Sequence, residues 1–501
     1  MRYAGADRLR DAFLAADYTV DGVAELLGPE ATAALGRHET VPARRATTGE
    51  DRLATLVRLF LLQLPVGQEA AARAVPLDAA VDLGVLHADG DEVHARLDVR
   101  PYGEDGTLDD SAWWVVSDLG TGLDGVHRPL HPEHVLGVGG ASTTLAQLTP
   151  RASVARTLDL GTGCGVQALH AARHSDHVVA TDVSARALRL AGLTGALSGV
   201  PLELRAGDLL EPVAGETFDL VVSNPPFVVG APPGERHTYR DGGRPLDALC
   251  AALLADGPGR LAESGTLVTL ANWVHREGDD WAERVTSWLP AHGVDALVVQ
   301  RDLLDPAAYV ATWLRDAGER GTPSYLQRYD EWLAALERER VAAIGLGFVA
   351  LRRTGEARRV TTLDWPHPVE VPLGPSLAGW LDRQRWLARH DGDAALAAAT
   401  LRLAPDVVQE QVGAPGAEDP QHVVLRQQAG LRRAFPVGTA AAALVGACDG
   451  TLPVGRLVDA VAQVLAGTSD GPPGNVPGTD AVDLLAQVRL LVEAGVLAPS
   501  A

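Results

Sequence analysis

Between residues 150 and 354, seven apolar runs alternate with helical stretches, and this alternation restricts the fold more tightly than any other feature of the chain. The runs are TLDLG from Thr157, VVATD from Val178, LELRAGD from Leu202, FDLVVS from Phe218, TLVTLANW from Thr266, DALVVQ from Asp295 and AAIGLGFVALRR from Ala342. Helices fit between them at Val166 to Arg173, Ala185 to Leu197, Leu246 to Ala262 and Asp279 to Leu289. Short apolar runs separated by helical periodicity predict an α/β chain with a doubly wound, mostly parallel sheet. Ligands of such a sheet sit at the carboxyl ends of its strands, so the residues just after each run carry the functional information.

The first run ends in DLGTGCG, where Gly161, Gly163 and Gly165 allow a tight turn and close backbone approach to a ligand. The following helix start favours electron-rich groups. A dinucleotide fingerprint would place its third glycine one position later, where Val166 stands. The second run ends in Asp182, an acid placed to bind both hydroxyls of a ribose. To this point an NAD enzyme and an S-adenosylmethionine enzyme both remain open. The third run ends in Gly207-Asp208-Leu209, with an acid able to accept from an adenine amino group.

The fourth run decides between them. It ends in Ser223-Asn224-Pro225-Pro226-Phe227. Two prolines stop the strand and hold the backbone extended. That turn can present two acceptors, the Asn224 side-chain oxygen and the Pro225 carbonyl, to a planar NH2 group, with Phe227 able to stack on it. NAD chemistry needs no such device.

Residues 157–227 resemble the class I S-adenosylmethionine-dependent N-methyltransferases with an Asn-Pro-Pro-aromatic motif. This group includes the release-factor glutamine methyltransferases (HemK/PrmC-like), the ribosomal-RNA guanine-N2 methyltransferases (RsmC-like) and adenine-N6 enzymes. The resemblance implies a Rossmann-like, seven-stranded methyltransferase sheet with S-adenosyl-L-methionine as cofactor. It implies that Asp159, Gly161, Thr162, Gly163 and Gly165 surround the methionine part. It places the ribose at Asp182 and the adenine at Asp208 and Leu209. Asn224, Pro225, Pro226 and Phe227 would hold the target nitrogen.

Upstream, HVLGVGGASTTLAQLTPR lies where this family often closes a segment over its cofactor, which makes Gly139, Ala141, Ser142 and Thr143 candidate contacts. Downstream, Tyr239, Arg240 and Asp241 occupy a polar loop after the NPPF turn and are candidates for binding the acceptor. Trp313, Tyr325, Tyr329 and Trp332 fall in a helical insertion between the sixth and seventh runs. The last three share one helix face, the pattern of core packing, with base stacking as the alternative. His127, His131 and His134 crowd one segment without an evident fourth ligand, so no metal is expected.

The flanks differ from this core. Leu53 to Gln63, Gln68 to Ala74 and Leu77 to Leu83 read as helices, followed by a hairpin around Asp89-Gly90. Helices followed by a hairpin form a winged-helix-like pattern. The C-terminal end repeats it loosely, with LPVG at Leu64 and again at Leu452, and GVL at Gly84 and again at Gly495. The expected organisation is a winged-helix-like module over 1–90, a β-rich connector over 91–140, the catalytic domain over 141–354, and a partly winged-helix-like module over 355–501.

Charge narrows the partners. Acidic residues number 65 against 43 basic ones, a net charge of −22, which argues against a protein that coats nucleic acid broadly. Every basic residue is arginine, which excludes a Schiff-base lysine and a P-loop lysine. Three widely separated cysteines offer no disulfide framework and no CxxC knuckle. No apolar h-region follows Arg2, and no run is long enough to span a bilayer. The expectation is a cytoplasmic methyltransferase without membrane contact. Its acceptor would be a nucleobase amine in RNA or DNA, or alternatively a glutamine of a protein such as a translation factor. A nucleic-acid-binding module with an inactive methyltransferase core is a further alternative.

Overall fold

The computed structural model describes residues 3–103, 112–120, 123–125, 130–230, 244–415, 422–467 and 481–500. The chain divides into two compact units, one of residues 1–146 with 152–365, the other of 147–151 with 366–501.

Eight strands build the main sheet of the first unit: β1 (Val154–Leu160), β2 (Ser175–Asp182), β3 (Glu203–Ala206), β4 (Phe218–Ser223), β5 (Leu261–Arg276), β6 (His292–Leu304), β7 (Val341–Ala357) and β8 (Arg359–Asp364). Their order is β8-β6-β7-β5-β4-β1-β2-β3. The β1–β2, β2–β3, β1–β4, β4–β5 and β6–β8 pairs are parallel, while β7 runs antiparallel to both β5 and β6. All seven expected strands are present. The sheet adds β8, so the expected boundary at residue 354 is corrected: it falls inside β7, and the sheet continues to Asp364. The strand signal of VTTLD is short and lacks the long apolar run of its neighbours.

The central strands are covered on both faces, as near-continuous apolar runs require. Leu158, Leu160, Val179, Val221 and Leu267 are all buried. Helix α1 (Gly140–Leu148) precedes β1, and on the sheet lie α2 (Val166–Ala172), α3 (Ala185–Ser198), α4 (Ala248–Asp256) and α5 (Trp281–Trp288). Ser184 starts α3 by accepting from the Ala187 amide, and Gly199 ends it in a left-handed conformation, φ 69°.

The N-terminal residues do not keep a core to themselves. Leu9, Phe13, Tyr18, Phe60 and Trp114 share one apolar cluster with Val166, Leu169, Leu190, Leu193 and Leu197 of α2 and α3. The physical reason is local: the outer face of α3 is apolar, with Leu190, Leu193 and Leu197 each at most 1 % exposed, and it needs a cover. Within this part, Arg52–Leu56 runs on through Val57–Leu61 into the short strand Val66–Gly67. Helices Gln68–Ala74 and Leu77–Asp82 follow, then the hairpin Leu86–Asp89 with Glu92–Ala95.

In the second unit, strand Asp449–Pro453 leads into helices Val454–Gly467 and Ala481–Ala494 and then strand Leu497–Pro499. The two LPVG and GVL repeats therefore bracket the same strand–helix–helix–strand order in both places. Leu401, Leu444, Leu484, Val488, Val492 and Leu497 are buried in this unit's own core. Among the described residues, no helix is long and apolar enough to cross a membrane.

Candidate active site

The carboxyl ends of β1, β2, β3 and β4 open on one cavity of about 500 Å³, within the size range of small-molecule sites. Its floor is the loop after β1. Gly161 and Gly163 both have positive φ, and a side chain added at either would meet nothing within 4 Å, so the backbone lies open to an occupant. The loop is tied to β2 by the amides of Gly161 and Thr162, both 2.9 Å from the Thr181 carbonyl.

Asp182, at the end of β2, uses its two oxygens separately. One accepts from the Gly163 amide at 3.0 Å, the other from the Ser184 amide at 2.8 Å. Ser184 takes the helix-capping role, which leaves the Asp182 carboxylate at the cavity wall. Burial holds its carboxyl above the usual range. Asp159 lies elsewhere. It is buried beneath the loop, accepts from Thr162 Oγ1 at 2.6 Å, and is absent from the lining. Burial pushes its carboxyl up to about 7, against the Thr162 bond that lowers it, and the nearby Asp182 charge adds to the rise. Gly165 also stays behind the loop, against α3.

Asp208 and Leu209 line the cavity after β3, with Asp208 3.6 Å from Arg244. After β4, Ser223 Oγ donates to the Leu160 carbonyl at 2.9 Å and locks β4 to β1. Asn224, Pro225, Pro226 and Phe227 then face the cavity. The Asn224 Oδ1 atom is buried and, among the described residues, has no hydrogen-bond partner. A buried acceptor left in that state is costly, so it marks a place where a donor from outside belongs.

The upstream segment closes one side. Gly139, Ala141 and Ser142 line the cavity, whereas Thr143 turns its Oγ1 back to the Gly139 carbonyl. Gln167 donates to the Ser142 carbonyl at 2.7 Å and ties α1 to α2. Tyr239, Arg240 and Asp241 lie outside the described residues, as does His127. His134 stands 3.9 Å from Asp118. Among the described residues, no group of three or more histidine, cysteine, aspartate or glutamate side chains is arranged to hold a metal ion.

Sequence reasoning missed Glu133, Gln167, Leu249 and Asp316, and it named no individual contact among His134 to Gly137 of the upstream segment, all of which line the cavity. None carries a motif. Trp313, read above as part of the insertion, also reaches this cavity.

The family described as methyltransferase small domain matches residues 137–276, the stretch that contains these four strand ends. Two other families, each described as a domain of unknown function, match residues 15–96 and 378–499 on either side of it. A release factor glutamine methyltransferase of Xylella fastidiosa is 36% identical over 169 residues, 31% of this chain and 59% of that protein. The ribosomal RNA small subunit methyltransferase C of Escherichia coli is 40% identical over 90 residues, 18% of this chain and 26% of that protein. The chain thus spans little more than half the length of the first of these relatives. Among solved structures, the T. thermophilus 16S rRNA N2 methyltransferase in complex with AdoMet and guanosine aligns with a TM-score of 0.27 at 18% identity. That alignment covers 45% of this chain and 58% of that one.

The cavity suits S-adenosylmethionine on the residues that line it. Gly161 and Gly163 with their open backbone, Asp182 and Asn224 all line it.

Proposed function

We propose that the protein is a cytoplasmic S-adenosylmethionine-dependent N-methyltransferase that acts on the exocyclic amine of a nucleobase in RNA or DNA. The observation that carries this reading is Asn224 beside Phe227 in the cavity lining, its buried Oδ1 without a hydrogen-bond partner among the described residues. The loop Gly161 to Gly163 would hold the methionine part of the cofactor, Asp182 the ribose and Asp208 the adenine. The bound cofactor supplies an electrophilic methyl group. Asn224 Oδ1 and the Pro225 carbonyl accept from the acceptor NH2, which orients its nitrogen lone pair and favours the charge that builds there as the new bond forms. The proton leaves to solvent, so no residue with a specially tuned pKa is required. Phe227 offers a face for stacking.

A protein glutamine amide is the second reading, favoured by the net charge of −22 and the similarity over 169 residues to a release factor glutamine methyltransferase. We also read the element order at residues 52–95 as winged-helix-like. Its third helix, Leu77–Asp82, carries Asp78 and Asp82, and Asp78 pairs with Arg8 at 2.8 Å, a surface suited to protein contact rather than to phosphate.

Labelling a cell extract with tritiated S-adenosylmethionine and the purified protein separates the two. Label that nuclease removes supports the nucleobase reading. Label that protease alone removes supports glutamine, and absence of any label with intact S-adenosylhomocysteine binding points to an inactive core.

A further inference from the structure

The insertion between β6 and β7 consists of α6 (Pro306–Asp316) and α7 (Tyr325–Arg338). Asp305 begins α6 by accepting from the Ala308 amide at 2.9 Å, with Pro306 at the first helical position. The pair is not a surface appendage. Tyr309 and Trp332 are fully buried, in one apolar cluster with Leu314, Leu336, Val228, Val229 and Ile344. Neither Tyr309 nor Trp332 lines the cavity.

Both backbone polar groups of Val229 are taken up by this insertion. Its amide donates to the Tyr309 hydroxyl at 2.8 Å, and its carbonyl accepts from Trp332 Nε1 at 3.0 Å. The same hydroxyl accepts from Asn272 Nδ2 at 3.3 Å, and Asn272 belongs to β5, the strand beside β4. A hydroxyl has two acceptor lone pairs, and both are engaged here. Tyr309 therefore pins Val229 to the sheet and not only to its own helix. Burial raises the Tyr309 hydroxyl above its ordinary value, so it stays protonated at neutral pH and serves as a bonding partner rather than as a base.

This anchor bears on the site because of the turn that precedes it. Ser223 Oγ fixes the start of the Asn-Pro-Pro-Phe turn on the Leu160 carbonyl, and Val229 fixes its exit. Residues 224–228 span the interval, and the φ angles of Pro225 and Pro226 are locked. So stiff a span does not absorb a shift at its exit by local rotation; a displacement of Val229 is passed back to Phe227 and Asn224. Groups that orient a reacting atom must be held to about 0.5 Å, and a misplacement of about 1 Å can cost about a hundredfold in rate. We propose that Tyr309, together with Trp332, is a positioning residue for methyl transfer, holding Val229 and through it the Asn224 side chain from outside the cavity. The inference rests on the methyltransferase reading above and on the role given there to Asn224, and it applies to a nucleobase and to a glutamine acceptor alike.

The test is a double-mutant cycle on the full chain. Tyr309→Phe and Trp332→Phe are each made in the wild type and in Asn224→Ala. The readouts are the initial rate of tritium transfer from S-adenosylmethionine into the macromolecules of a cell extract, the apparent KM for S-adenosylmethionine and the melting temperature. Val310→Ala, which takes apolar bulk from the same buried cluster but none of these hydrogen bonds, is the stability control. Tyr309→Phe and Trp332→Phe should each lower the rate about tenfold with the KM for S-adenosylmethionine within about twofold, while Val310→Ala stays within about twofold of the wild-type rate. In Asn224→Ala the same two changes should cost about threefold or less, because the group they position is gone. An equal loss of rate in both backgrounds overturns the proposal, as do wild-type rates in Tyr309→Phe and Trp332→Phe, or a loss in Val310→Ala that matches theirs. Should Tyr309→Phe fail to fold, Trp332→Phe decides by the same comparison. Wild-type protein that transfers no label, or Asn224→Ala at the wild-type rate, overturns the reading of the site and the proposal with it, a result distinct from a failure of the insertion variants alone.

Discussion

Asp118 and Arg186 bind each other across 68 residues of chain, the Asp118 carboxylate at the end of strand Trp113–Asp118 accepting from Arg186 Nε at 2.9 Å in the first turn of α3. The same carboxylate accepts from the Val135 amide at 2.8 Å. One buried acid thus joins three parts: the N-terminal half of the unit, the segment that closes the cavity, and the helix that follows Asp182.

Removing that acid should loosen the closing segment without touching the cofactor contacts. Burial raises the Asp118 carboxyl, but the Arg186 and Val135 bonds outweigh it and hold it below its ordinary value. A carboxyl depressed in the folded state contributes stability above its unfolded value and loses it as pH falls through the folded one. The contact is therefore intact at neutral pH. Asp118→Ala is expected to weaken S-adenosylhomocysteine binding by about tenfold, the loss of one hydrogen-bonded charged group. Calorimetry at pH 7.5 checks it; unchanged affinity with a lowered melting temperature would show a purely structural link.

Asn224 tests catalysis separately from binding. Asn224 lines the cavity and its buried Oδ1 has no hydrogen-bond partner among the described residues, so Asn224→Ala breaks no described side-chain bond. Turnover should fall by roughly 10²–10³ while S-adenosylhomocysteine affinity stays within about twofold. Turnover at the wild-type rate would reject the role assigned to this residue.

Asp159 predicts a pH dependence of stability. Its carboxyl is raised to about 7 by burial, so the folded protein holds a proton that the unfolded chain releases near pH 4. The folded state therefore loses stability as pH rises through 7. Between pH 6 and pH 8 this group alone removes about 1.4 kcal/mol, or roughly 2 °C in a unit of this size. Melting curves of ligand-free wild type and Asp159→Asn at both values isolate it. The difference between the two proteins should narrow or reverse toward pH 8, and a constant difference would refute the shift.

Gly165 should tolerate no side chain. Its φ is 86°, and an added Cβ would stand 3.1 Å from the Ala191 Cα of α3. Left-handed strain plus the forced separation of α2 from α3 should cost about 2–3 kcal/mol for Gly165→Ala. Chemical denaturation measures this, with Gly139→Ala, where a Cβ meets nothing, as the control.

Strand-end punctuation is a local property, and it made much of this site legible. Gly161, Asp182, Asp208 and Asn224 each sit where a parallel strand must stop. Knowing that strands stop on one side is enough to gather them before any coordinates exist. Asp159, assigned to the methionine part by resemblance alone, is buried under the loop and absent from the cavity lining, because residues inside a strand alternate faces. Alternation also hid β8, whose short polar run gains its place only by pairing with β6.

Tertiary structure alone decided what surrounds that row. Trp313 lies 86 residues from Phe227, and Asp118 lies 68 from Arg186, with no motif at Trp313, Asp118 or Arg186. Apolar periodicity predicted that the insertion's aromatic face would be buried, and Trp332 is, but periodicity does not say against what. The partner was set when Val229, leaving the two prolines with an unpaired amide and carbonyl, found Tyr309 and Trp332. Backbone groups stripped of water must be satisfied somewhere, and which distant side chains satisfy them is a property of the packed chain rather than of any stretch of its sequence.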